Sequence, residues 1–179
     1  MKILILCSTL LISLSSFSCP KLQGTWRSCQ VSSSLLNPIE IVGANIILKS
    51  YTFRFSNPGP NTLRSEIFKS SIFGGSDSIL NNDSTIGQNN KTNWEKNLFK
   101  DSTAPELTTY LRCETTGMTE YITWDNLSVE NYPDHATENY PKYYKTVYVV
   151  SGTNLTRYIY SKVTLDGEYT YLAKLKCTK

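Results

Sequence analysis

The chain has 179 residues, a formal net charge of +3, 40% hydrophobic and 18% charged residues. This is one domain's length with enough apolar content for a core. The mild, scattered positive charge lacks the clustered Lys/Arg stripe of a nucleic-acid binder, and a single histidine with no Cys-x-x-Cys pair argues against a metal centre.

Residues 1–18, MKILILCSTLLISLSSFS, have the layout of a secretory signal. Lys2 supplies the positive start, Ile3 to Leu14 the apolar core, and Ser16 and Ser18 the small residues before a cleavage site. The expected mature protein is then a single domain over 19–179, secreted or periplasmic. No later stretch offers the roughly 20 apolar residues of a membrane span. Cleavage removes Cys7 and leaves Cys19, Cys29, Cys113 and Cys177, an even set that predicts disulfides in an oxidising compartment. A competing use of Cys19, first in the mature chain, is as the lipid-bearing residue of a bacterial lipoprotein.

Strand patterns follow in series. TWRSCQV (25–31) alternates, with Trp26, Ser28 and Gln30 on one face and Thr25, Arg27 and Cys29 on the other. IEIVGANIILKS (39–50) reads as an aliphatic strand in which Gly43 marks a bulge or bend. YTFRFS (51–56) places Tyr51, Phe53 and Phe55 on one face. NPGPN (57–61) is a turn, and TLRSEIFKSSIF (62–73) is its hairpin partner. Residues 74–105 form a long polar stretch in which Ile79–Leu80 suggest a short strand and NWEKNLFKD about two helical turns, with Trp94 and Leu98 at i,i+4 spacing. Strands resume at 107–116 and 119–129, pause in a Pro-containing loop over 129–141, and continue at 142–151, 156–165 and 168–179. Asp166–Gly167 gives a two-residue hairpin signal. With no long amphipathic helix to cover a sheet, an all-β barrel or sandwich is expected.

Cys19, Leu22, Gly24 and Trp26 open the predicted mature chain. Gly-x-Trp at this position resembles the first-strand signature of the lipocalin-like (calycin) superfamily, and the four residues together look like the opening of avidin-type barrels. The resemblance implies an antiparallel up-and-down β-barrel of about eight strands, with Gly24 allowing a sharp entry and Trp26 sealing one end. Lipocalins also place a last-strand Arg over the tryptophan. Residues 168–179 have lysines but no Arg, so a lysine would have to substitute. In such a barrel the first and last strands pair. That closure suggests Cys19 with Cys177 and leaves Cys29 for Cys113. Cys19–Cys29 within one extended segment would need a chain reversal at Pro20.

Eleven of the twelve tyrosines lie between 110 and 171. Tyr144 and Tyr148, Tyr158 and Tyr160, and Tyr169 and Tyr171 share faces in pairs. Turned inward with Trp26, Phe53 and Phe55, they would line a cavity for a small apolar or amphipathic ligand. Turned against one another, they would fill the barrel or stabilise the sheet. On the surface, they would form a patch for a protein or glycan. The runner-up function is a filled barrel that contacts a protein or envelope component through loops 74–105 and 129–141. Catalytic signals are slight. His135 sits beside Asp134 and Glu138 in a loop, Asp125 and Glu130 flank a strand end, and no nucleophile elbow, Gly-rich phosphate loop or metal spacing occurs. The expectation is therefore a non-enzyme without cofactor. Four Asn-x-Ser/Thr sites, at Asn82, Asn90, Asn126 and Asn154, are close to chance.

Overall fold

A computed structural model describes residues 19, 21–70, 75–93, 106–128 and 140–179. The signal-like segment, the helical turns expected around Trp94 and Leu98, and His135, Asp134, Glu138 and Glu130 lie outside the described residues.

The described chain forms ten antiparallel strands and one helix. In order these are β1 (Gly24–Ser32), α1 (Pro38–Leu48), β2 (Tyr51–Gly59), β3 (Thr62–Ser70), β4 (Ser76–Thr85) and β5 (Asn89–Asn93). They continue with β6 (Glu106–Glu114), β7 (Gly117–Trp124), β8 (Tyr143–Ser151), β9 (Asn154–Lys162) and β10 (Thr170–Thr178). Each strand pairs with its sequence neighbour, except that β1 joins β10 and β4 meets β5 without a ladder, giving the order β4-β3-β2-β1-β10-β9-β8-β7-β6-β5. The expected zip between the first and last strands is present, with Gln30 opposite Lys176 and Val31 opposite Leu175. The count is ten rather than eight, because the polar stretch after residue 74 supplies β4 and β5.

The β4/β5 seam has a substitute for its missing ladder. The Thr85 N–H donates to Asn90 Oδ1 at 2.7 Å, and Asn90 Nδ2 donates back to the Thr85 carbonyl at 2.9 Å. A side-chain amide thus presents the donor and acceptor that a neighbouring strand would supply, leaving neither group of Thr85 unpaired.

Residues 39–50 correct the sequence expectation, since α1 occupies most of them. Asn37 caps the helix: its Oδ1 accepts from the Ile39 and Glu40 N–H groups, while Glu40 Oε2 accepts from the Asn37 N–H. Pro38 fits the first turn, where its missing N–H costs nothing. Gly43 is therefore a mid-helix residue and not a bulge. The helix is largely apolar, its two polar residues being Glu40 and Asn45, and it is poorly covered. Ile39 is 84% exposed and Ile46 65%. Its tie to the sheet includes Asn45, whose Oδ1 accepts from the Val31 N–H at 2.6 Å.

The first strand departs from simple alternation. Ser28 has φ +48°, and the register shifts between Arg27 and Gln30. This bulge resets the pleat, so Trp26 and Cys29, predicted on opposite faces, are both buried. It also sends residues 24–26 to pair with β2 and residues 30–32 to pair with β10.

That register overturns the suggested disulfide pairing. The end of β10 lies opposite the middle of β1, with Arg27 facing Thr178, so Cys177 meets Cys29 at a Cα separation of 4.1 Å. Cys19 lies before the strand and joins Cys113 at the end of β6, Cα to Cα 5.3 Å. The Cys19 sulfur is committed to that bond, which leaves none for a lipid thioether.

Trp26 is fully buried, as the plug idea requires, and its Nε1–H donates to the Leu22 carbonyl at 3.0 Å. Lys179 stands over the indole, with its Nζ 4.9 Å from the Trp26 ring centre. Gly24, at φ +132°, makes room for it: a Cβ there would stand 2.9 Å from Lys179 Cε. Leu22, Leu63, Leu111, Met118, Leu155 and Leu175 complete this end of the core.

Candidate functional site

A cavity of about 130 Å³ lies inside the barrel. Alternation on β2 turns Phe53 and Phe55 inward, and register carries the same face through Ile67 on β3 and Leu80 on β4. Leu107 on β6 and Ile122 on β7 close the apolar wall from the other side of the β4/β5 seam. Engineered apolar cavities of comparable size, about 150 Å³, hold a benzene molecule. This interior therefore suits a ring or a short acyl segment.

One side of the cavity is polar. Glu120 projects from β7, Tyr148 from β8 and Arg157 from β9, and cross-strand pairing makes them neighbours: Tyr148 faces Met118 on one side and Arg157 on the other. The Tyr148 hydroxyl donates to Glu120 Oε2 at 2.5 Å. Burial pushes the Tyr148 phenol well above its ordinary pKa. Arg157 pulls against this, and the Glu120 carboxylate adds to the rise. Tyr148 consequently remains a neutral O–H donor that holds Glu120.

Arg157 differs from the other charged groups around the cavity. Its guanidinium carbon sits 4.9 Å from the Tyr148 ring centre and 5.2 Å from that of Phe53. Its buried Nε has no hydrogen-bond partner. Glu66, the other carboxylate at the wall, approaches Arg54 at 3.9 Å. Arg157 and Glu120 both act on the Tyr148 side chain, and among the described residues no carboxylate forms an ion pair with Arg157. A buried N–H left unpaired costs roughly 1–3 kcal/mol, more beside a charge, so an incoming anion would be well received.

Of the nine wall residues suggested by sequence, Phe53, Phe55 and Tyr148 line this cavity. Trp26 is in the core beyond it. Tyr144 is half-buried near the start of β8, where burial and a hydrogen bond with Tyr140 push its phenol up to about 12. The inward placement of the other four tyrosines is corrected. Leu155, Arg157 and Ser161 take the inner positions of β9, which turns Tyr158 and Tyr160 outward. Tyr171 pairs with Tyr160 on that outer face and is 38% exposed. Tyr169 lies over Lys162 and Lys145, at 4.8 and 5.6 Å. Sequence reasoning missed Arg157 and Glu120, because a charged residue in a strand reads as solvent-facing.

No metal-ligating cluster occurs among the described residues. Asp125, half of the carboxylate pair noted in the sequence, is taken up by structure: its Oδ2 accepts from Thr108 at 2.6 Å and from Lys91 at 3.0 Å.

No family model matches this chain, and no curated protein does. Solved structures do. A fatty-acid-binding protein from Manduca sexta superposes with TM-score 0.50 at 11% identity, over 89% of this chain and 99% of its own. Secretory abundant heat soluble protein 4 from Ramazzottius varieornatus gives 0.51 at 11% identity, over 90% and 96%. A point mutant of the fluorescent protein UnaG gives 0.50 at 11% identity, over 89% and 96%. Such low identities establish architecture alone: the chain has a calycin-like β-barrel fold.

Proposed function

We propose that the protein is a non-enzymatic binder of a small amphipathic molecule with an acidic group, held in the barrel interior. The observation that carries this reading is Arg157, a half-buried cation whose buried Nε is unpartnered at the wall of a largely apolar cavity. A carboxylate there would gain a charge-assisted hydrogen bond, while Phe53, Phe55 and Ile67 would cover the attached carbon skeleton. One structural neighbour is named as a fatty-acid-binding protein, which fits the same use of the barrel. At about 130 Å³ the space takes a short or cyclic skeleton rather than a long folded chain. The two disulfides, with the signal-like start, fit carriage in a secreted or periplasmic setting.

Native mass spectrometry of the disulfide-intact protein, incubated with butanoate, hexanoate, benzoate and the matching alcohols, tests the proposal. One-to-one adducts with the acids, absent with the alcohols, are the expected result. Equal adducts with both sets, or none with either, would overturn it.

A further inference from the structure

The outward tyrosines form an ordered surface. Tyr110 on β6 stands opposite Tyr121 on β7, which stands opposite Lys145 on β8. Lys145 stands opposite Tyr160 on β9, which stands opposite Tyr171 on β10. Adjacent strands are about 4.8 Å apart, so this row runs roughly 19 Å across the barrel wall. Beside it Tyr143 faces Lys162, and Tyr158 faces Lys174. The ammonium groups rest on the rings: Lys145 on Tyr160 at 5.3 Å, Lys162 on Tyr143 at 5.6 Å and Lys174 on Tyr158 at 5.7 Å. Lys162 also donates to the Leu165 carbonyl.

The charge on this face is mostly positive, and its one printed ion pair is Arg112 with Glu114 at 3.8 Å. Its outer positions carry Arg112, Lys145, Lys162, Lys174 and Lys176, while the carboxylates Glu106 and Glu114 stand only at the two ends of β6. Asp166 and Glu168 belong to the β9–β10 connection, whose Tyr169 ring lies against Lys162 and Lys145 at the edge of the row. Among the described residues no carboxylate pairs with Lys145, Lys162 or Lys174. Among the described residues, a chain whose overall charge is only +3 thus collects three lysines without an ion pair on one wall. Each is held in place by a ring and by strand register, which lowers the ordering cost of binding.

We propose that the outer face of β6–β10 binds a sulfated polysaccharide, with Lys145, Lys162 and Lys174 meeting sulfate groups and the intervening tyrosines meeting sugar hydroxyls and ring edges. The row's chemistry selects this partner. Lysine is a point charge with three donors, suited to a sulfate approached from any direction, whereas planar carboxylates favour the arginine fork. Single-stranded nucleic acid needs ring faces on which bases stack, and here ring faces already carry ammonium groups. The site is separate from the cavity, on the other side of the same strands.

The test measures binding of fluorescein-labelled heparin by anisotropy, from low to physiological salt. The row variant K145Q/K162Q/K174Q is compared with K21Q/K49Q/K69Q, which has the same net charge and lies off the face. The row variant is expected to bind about tenfold or more weakly, with a salt dependence shallower by roughly two log units per log unit. The off-face variant is expected to match wild type, and K145R/K162R/K174R to retain binding. Near-UV circular dichroism and melting temperature confirm folding for each. Equal losses in the two Gln variants would reduce the effect to net charge and overturn the site. Single-stranded DNA or phosphatidylserine vesicles displacing heparin from the wild type at equal charge concentration would overturn the choice of partner.

Discussion

Gly117→Ala should damage both the sheet and the polar side of the cavity. A Cβ at Gly117 would stand 1.9 Å from the Tyr148 carbonyl oxygen and 2.8 Å from its carbon. Both are backbone atoms, and the first is about 1.5 Å inside the closest ordinary contact. The β7/β8 ladder must therefore part where Gly117 faces Val149, straining the bond from the Val150 N–H to the Thr116 carbonyl. Overpacking of roughly 1–3 kcal/mol, with one or two weakened hydrogen bonds near 1 kcal/mol each, gives a loss of about 2–5 kcal/mol. For a chain of this size that lowers the melting temperature by about 4–20 °C. Urea titration followed by tryptophan fluorescence reads the stability, since Trp26 is fully buried. The matched control is Gly43→Ala, where a new Cβ meets nothing within 4 Å and the helix gains about 0.5–1 kcal/mol. A Gly117→Ala protein as stable as wild type would refute the packing argument, and a destabilised Gly43→Ala would refute the helix.

Other outcomes follow from the same structure. Ile39→Ser and Ile46→Ser should each change stability by no more than about 0.5 kcal/mol, because both side chains project into solvent; a melting-temperature loss above a few degrees would mean that they are covered. Non-reducing peptide mapping should recover Cys19 linked to Cys113 and Cys29 linked to Cys177, and a Cys19–Cys177 peptide would contradict the β1/β10 register. Cys29→Ser/Cys177→Ser removes the cross-link that spans a sequence separation of 148 residues and should cost on the order of 5 kcal/mol on the loop-entropy estimate, less if the denatured chain stays compact. The folded state keeps the Tyr144 phenol protonated to about 12, so its stabilising contribution is complete below the ordinary tyrosine value near 10 and fades between there and 12. Alkaline difference spectroscopy at 295 nm should accordingly show a late-titrating tyrosine that titrates normally once the protein is unfolded.

Several features were legible because local pattern and tertiary setting agree. Tyr51-x-Phe53-x-Phe55 alternates, and the barrel buries Phe53 and Phe55. Gly24-x-Trp26 marked the strand that joins β2 to β10, and a lysine does stand over the indole. The failures have physical causes. Ile39–Lys49 is aliphatic enough for either a strand or a helix, and the deciding signal was the cap Asn37-Pro38-x-Glu40 rather than the run itself. The face assignments failed where periodicity is broken. The Ser28 bulge resets β1, and a second irregularity lies between Tyr171 and Ala173 on β10. In TRYIYSK the tyrosines looked like the inner set, yet Arg157 occupies the interior, a choice that hydropathy disfavours and that the cavity explains. Asp166–Gly167 suggested a two-residue hairpin, but β9 ends at Lys162 and β10 begins at Thr170, with the turn closed by the Gly167 N–H on the Thr164 carbonyl. Three of the four glycosylation-like sites hold structural asparagines: Asn82 donates to Ser84, Asn90 bridges the seam, and Asn126 accepts from the Glu106 N–H.

The central claim is that Arg157 anchors an acid inside the barrel. Isothermal titration of hexanoate into wild type and Arg157→Met tests it most directly, with near-UV circular dichroism to verify the fold. A charge-assisted hydrogen bond in a buried site contributes about 1.5–3 kcal/mol, so the variant should bind roughly 10- to 150-fold more weakly while hexanol is bound poorly by both. Equal hexanoate affinity in the two proteins would contradict the account.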